Sequence, residues 1–252
     1  ANGRGGGSVH PEAAGHIPDQ PVEPPMQEPF AELSREYLQV LHVRGQEAAR
    51  ALLTRATEGG ATITDIYIRV LAPALHEVGR LWAAGEMSVA DEHVFSYATQ
   101  QIMASLVALA PKQAAVPLGK AADNSPRCVV FPVSGESHLI GARMVADLLA
   151  LSGIEVRFLG SRLSIGHVRE TLLAAPPGLV ALSVTLPESL NAAADTIRAL
   201  REKRALSGTR ILVGGQAFES SPELWKRIGA DAQALDAAEA VQAALRLLSS
   251  KG

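Results

Sequence analysis

From residue 127 onward the chain repeats one pattern five times: a short apolar run, then a stretch of helical period. The runs fall at 127–133, 154–159, 179–185, 210–214 and 232–235, and the helical stretches at 139–152, 165–175, 188–204, 222–228 and 237–249. Runs with so few polar residues predict strands covered on both faces, which requires a parallel sheet with helices on either side. In such a sheet a ligand lies beyond the carboxyl ends of the strands, where the strand order reverses. For a flavodoxin-like order that place is between the first and third strands. Glu136, Ser137 and His138 follow the first strand, Ser183 and Thr185 end the third, and Gly214-Gly215-Gln216 ends the fourth. Glycines at that edge remove side chains where a bulky group needs access to backbone.

Upstream the apolar period is 3.6. Phe30, Leu33, Tyr37, Leu38, Leu41 and Val43 begin a helix that continues through Ala48, Ala49, Leu52 and Leu53 to Gly59-Gly60. A second starts near Thr62 with Ile63, Ile66, Val70 and Leu71, and Pro73 is expected to kink or divide it. Leu75, Val78, Leu81 and Trp82 complete its apolar face before Gly85. Ser88 is placed as the N-cap of a last helix, with Asp91 and Glu92 in its first turn, running through Phe95, Ile102, Leu106 and Leu109. The expected architecture is α/β. A four-helix-bundle cap at 30–111 is followed by a flavodoxin- or Rossmann-like five-stranded domain at 127–252. Residues 1–29, rich in Gly and Pro, read as a disordered tail or linker carrying solvated His10 and His16; 112–126 reads as a second linker.

Composition narrows the function. A net charge of −3 argues against a chain that grips nucleic acid by electrostatics. The single cysteine, Cys128, lies in a strand-like run and reads as buried, and a disulfide framework is excluded. No signal peptide or membrane-length apolar run is evident, so the expected location is the cytoplasm. His42 and His76 read as bundle packing, His167 as a surface residue, and the cluster Arg198, Arg201, Lys203, Arg204 and Arg210 as a solvated helix face.

Taken together, Glu136-x-His138-x-x-Gly141, Ser183-x-Thr185 and Gly214-Gly215 resemble the signature of the cobalamin-binding domain family. The resemblance extends from about Phe30 to the C-terminus. It implies that His138 replaces the cofactor's benzimidazole as lower cobalt ligand, while the displaced nucleotide tail follows the Ser/Thr and Gly-Gly positions. Imidazole is a sound cobalt ligand, and Glu136 is a candidate acceptor for the other ring N–H. Within the family, Trp82, nine residues, then Glu92-His93 is similar to a pattern of adenosylcobalamin-dependent light-sensing transcriptional regulators. That likeness implies that Trp82 covers a 5′-deoxyadenosyl group and Glu92 helps hold it. After light breaks the cobalt–carbon bond, His93 becomes the upper ligand. His138 and His93 are thus the expected metal ligands.

The expected function is a non-enzymatic cobalamin photoreceptor in which loss of the adenosyl ligand changes bundle packing and oligomer or partner contacts. A corrinoid methyl carrier of a methyltransferase is the alternative, and a passive cobalamin-binding module a third. The regulators carry a winged helix-turn-helix, and no such candidate stands outside the bundle here. A DNA-binding or effector domain, or a partner protein, is therefore expected elsewhere, with this chain forming a homo-oligomer and binding neither DNA alone nor membrane. Some related sensors also hold a linear tetrapyrrole; no residue here identifies such a site, and Cys128 is ill suited to attach one.

Overall fold

The structure is a computed structural model and describes residues 28–110, 127–160, 162–219 and 223–249. Of the expected tail at 1–29, residues 1–27, with His10 and His16, lie outside these, as does the expected linker at 112–126; residues 28 and 29 instead begin the first helix. Among the described residues, no helix is long and apolar enough to cross a membrane.

The bundle opens with α1 (Glu28–Glu58), but not as one rod. Gly45 sits at φ 79°, ψ −178°, and breaks α1 into two helical segments. This conformation favours glycine because it has no Cβ to clash. The apolar period hid the break, since Leu41, Ala49 and Leu53 are buried on either side of it. Val43, by contrast, is 71% exposed, so it does not belong to the core face expected of it. His42 is exposed and stacks on Phe95 at 6.1 Å, and His76 is exposed, so neither is the packed bundle residue the sequence suggests.

The second helix begins at a capping box. Thr62 Oγ1 accepts from the Asp65 N–H, and the Asp65 carboxylate accepts from the Thr62 N–H. Beyond α2 (Ile63–Asp65) the chain widens into a π-helical turn, Ile66–Leu71, before α3 (Ala72–Ala83). Pro73, in the first turn of α3, explains the division: it has no N–H to give to the preceding turn. The Ala72 N–H reaches back five residues to the Tyr67 carbonyl, and Ser34 Oγ, from α1, donates to the Val70 carbonyl at 2.8 Å. Ser88 caps α4 (Val89–Leu109) as expected, its Oγ accepting from the Asp91 N–H at 3.1 Å.

The sheet has the order β2-β1-β3-β4-β5, all parallel. Its strands are β1 (Cys128–Pro132), β2 (Val156–Phe158), β3 (Leu179–Ser183), β4 (Arg210–Gly214) and β5 (Ala232–Ala234). Helices α5 (Ile140–Leu151), α6 (Ile165–Ala174), α7 (Leu190–Arg201), α8 (Leu224–Arg227) and α9 (Ala237–Ser249) alternate with them. β1 and most of β3 and β4 are buried, but the edge strand β2 is only partly covered and Arg157 faces water. One core joins the bundle, α5, α9 and one sheet face through Val130, Ala181 and Leu212; a second lies under the other face around Phe131, Leu182 and Phe218. Arg201 is exposed with the rest of α7's outer face, yet it is also bonded: it donates to the Thr209 and Gly229 carbonyls and to Asp231, tying α7 to the chain before β4 and β5.

Candidate functional site

The strand register sets the site. Pro132, Ser183 and Gly214 stand in one row across β1, β3 and β4. The Val133 N–H donates to Ser183 and the Val184 N–H to Gly214, at 2.8 and 2.9 Å. The loops that follow therefore leave the sheet side by side, at the reversal point between β1 and β3.

Glu136 spans that reversal point. It is 2% exposed, and its carboxylate accepts from the Thr185 N–H at 3.0 Å to each oxygen and from the Leu186 N–H at 2.8 Å. The acceptor role imagined for it toward His138 is thus replaced by another: it staples the β1 loop to the β3 loop. A carboxylate two residues before His138 points inward while the histidine points out. The part of Leu186 is one the sequence did not reveal, because a backbone donor leaves no mark in residue type.

His138 and Ser137 are exposed in the loop, and His138 makes no hydrogen bond or ion pair among the described residues. Two residues later α5 begins, with no capping side chain at its N-terminus. At Gly141 a Cβ would meet nothing within 4 Å, so the space beside the histidine is open. Ser183 and Thr185 are half-buried. The paired glycines are required by the fold itself. Gly215 has φ 103° and a Cβ there would overlap the Val184 carbonyl, while a Cβ on Gly214 would lie 2.7 Å from the Ala234 carbonyl oxygen. The backbone they admit is the protein's own.

The cap supplies a second group. Trp82, near the end of α3, is 51% exposed and so is not bundle core. In the first turn of α4, Glu92 accepts from Ser96 Oγ through Oε1 and sets Oε2 3.6 Å from His93 Nε2. The His93 side chain is 74% exposed. Beside it runs a groove of about 320 Å³, lined by Leu41, Gly45 and Gln46 of α1 and Val94, Tyr97 and Ala98 of α4. Val94 and Tyr97 are 62% and 63% exposed, apolar surface that periodicity alone did not mark.

Among the described residues, no three of His, Cys, Asp and Glu gather as a site for a bare ion. A lone exposed imidazole suits a metal that arrives with most of its ligands already in place, as in a macrocycle. Family models agree. One described as a B12 binding domain matches residues 126–245, and a second with that description matches residues 36–106. The chain belongs to the B12-binding domain family.

Both parts of that assignment have relatives. The HTH-type transcriptional repressor CarH of Myxococcus xanthus is 34% identical over 159 residues, 63% of this chain. The chain spans only 50% of that repressor's length. Dimethylamine corrinoid protein 1 of Methanosarcina acetivorans is 28% identical over 205 residues, 81% of this chain and 92% of that protein. The structure of the Methanosarcina barkeri monomethylamine corrinoid protein matches with a TM-score of 0.69 at 24% identity, over 86% of this chain and 98% of that one. The last likeness fixes the fold alone: a parallel-sheet domain beneath a helical cap.

Proposed function

We propose that the protein binds adenosylcobalamin between the cap and the open edge of the sheet and senses light through it. One observation carries the sensing part: Trp82 and His93, an indole and an imidazole, stand exposed on the cap, and Glu92 is held between Ser96 and His93. When bound, the cofactor supplies a cobalt centre and a cobalt–carbon bond that light breaks.

The remaining work falls to the chain. His138 would supply a ring nitrogen to the metal, since it stands exposed in the loop that Glu136 ties to the β3 loop. Ser183 and Thr185 offer small polar contacts along the crevice, and Gly141 keeps its mouth open. Trp82, exposed on the cap, would lie against the bound cofactor and keep water from it. His93 would offer a second nitrogen donor from the cap, and a cap position that brought it to the metal would be favoured over one that did not. A ligand change that favours one of two cap positions is sufficient to move oligomer or partner contacts. A DNA-binding or effector domain, joined to this chain or separate, receives the signal.

The test is to load the protein with adenosylcobalamin in darkness, illuminate it, and follow absorbance and molecular mass. Prompt spectral conversion that disappears in His93→Ala, with a change of mass, is expected. Uptake with no response to light overturns the sensing reading. No uptake, or uptake with the benzimidazole still on the metal, overturns the role of His138 as well.

A second reading, a corrinoid methyl carrier, is favoured by the match to nearly the whole length of a dimethylamine corrinoid protein. It predicts that a partner methyltransferase methylates the reduced, protein-bound cofactor, and that His93→Ala leaves this unchanged.

A further inference from the structure

A hydrogen bond joins the cap to the sheet domain across 80 residues of sequence: Tyr67 Oη donates to Asp147 Oδ2 at 3.0 Å. Tyr67 is 0% exposed and lies on the π-helical turn Ile66–Leu71. Asp147 is 7% exposed on α5, and its other oxygen accepts from Arg143 Nε at 2.7 Å. Arg143 in turn lies over the Phe158 ring of β2, 5.9 Å from its centroid. One line of contacts thus runs from the cap through α5 to the edge of the sheet.

Two features distinguish this line from ordinary packing. A buried carboxylate is costly unless both oxygens are matched, and here the second match comes from the other domain. The turn that carries Tyr67 also departs from α-helical geometry, and its Val70 carbonyl accepts from Ser34 Oγ of α1. Single π turns of this kind recur where function demands a particular side-chain placement. At the far end, Asp147 lies nine residues after His138 on the helix that continues its loop, the Arg143 N–H bonding the Leu139 carbonyl.

We propose that Tyr67, Asp147 and Arg143 form a latch that sets the register of the cap on α5. They thereby position the cap edge bearing Trp82, Glu92 and His93 relative to the His138 loop. These are positioning residues. The latch exists without any ligand; only its consequence for His93 rests on the reading under Proposed function.

Hydrogen exchange in the ligand-free protein decides it. Tyr67→Phe keeps the ring and removes the bond. Amides of residues 63–83 and of α5 are expected to exchange together, about ten-fold faster, as for loss of a hydrogen bond to a charged group. Tyr37→Phe is the control, since the Tyr37 hydroxyl meets Thr99 Oγ1 inside the bundle at 2.8 Å. That variant is expected to loosen α1 and α4 and leave α5 unchanged. Unchanged α5 exchange in Tyr67→Phe, or equal acceleration in both variants, overturns the latch. With adenosylcobalamin bound, Tyr67→Phe is further expected to change the rate of the light-driven, His93-dependent spectral step several-fold. A rate equal to wild type overturns the positioning role. Absence of that step in the wild type defeats the light-sensing reading instead, and exchange still decides the latch.

Discussion

Replacing Glu136 in two steps tests how the β1 and β3 loops are held together. In Glu136→Gln the side chain keeps its size, and its amide oxygen takes the place of Oε1, which accepts from both Thr185 and Leu186. What disappears is the charge and the second oxygen's bond to the Thr185 N–H. A bond to a charged acceptor is worth about 1.5–3 kcal/mol and a neutral one about 0.5–1.5, so two donors lose roughly 1 kcal/mol each, about 2 in all. Glu136→Ala removes both bonds, a gross loss of roughly 3–6 kcal/mol. Part returns, because the variant no longer buries a carboxylate that is 2% exposed and because half-buried Thr185 and Leu186 can reach water. We expect a net loss of about 2–4 kcal/mol. Urea unfolding of the ligand-free protein should therefore rank wild type above Gln above Ala, with exchange of the Thr185 and Leu186 amides accelerating in the same order. A Gln variant as stable as wild type, with those two amides still protected, would refute the staple.

Gly215→Ala should cost more than about 3 kcal/mol, since it combines a positive φ with overlap on the Val184 carbonyl; a melting temperature within a degree or two of wild type counts against the geometry. Burial pushes the Cys128 thiol up to about 12 from its ordinary 9.0, and the Tyr37 hydroxyl up to about 12 from 10.0. Both groups are thus protonated when folded and release protons earlier when unfolded. Stability is then complete below about pH 9 and falls between 9 and 12, by about 1.4 kcal/mol per pH unit for each group once past its unfolded value. Chemical unfolding across that range should show the decline, and Cys128→Ala should make it shallower. For the same reason, thiol alkylation at neutral pH should proceed only as fast as the protein opens; prompt labelling of folded protein would contradict the burial of Cys128.

Much of this molecule is legible from residue order because its elements obey strong local rules. The apolar runs became the five strands, and Ser88 and Thr62 cap the helices they precede. Pro73 did divide its helix, though the form of the division, a π turn whose Val70 carbonyl accepts from Ser34 of another helix, is invisible locally. The meeting of the loops at the candidate site was legible, since strand order dictates where they come together. Its inner wiring was not: Glu136 chose two backbone donors fifty residues away over its neighbour His138, a choice that burial made and spacing conceals. The Gly45 break was missed because apolar residues on both sides keep one period. Asp147 carried a signal that went unused: a carboxylate among Ala146, Leu148 and Leu149 in an apolar helix requires a buried partner.

The shared core has a mechanical corollary. Bundle side chains and one face of the sheet belong to a single packed cluster, running through α5 and α9 to Val130, Ala181 and Leu212. A lid that swings on a flexible joint would have to expose that surface to solvent with every stroke. Close-packed interfaces move instead by sliding a small distance between alternative interdigitations. Any travel of the cap over the sheet is therefore expected to be shear, short in amplitude and discrete in its end points.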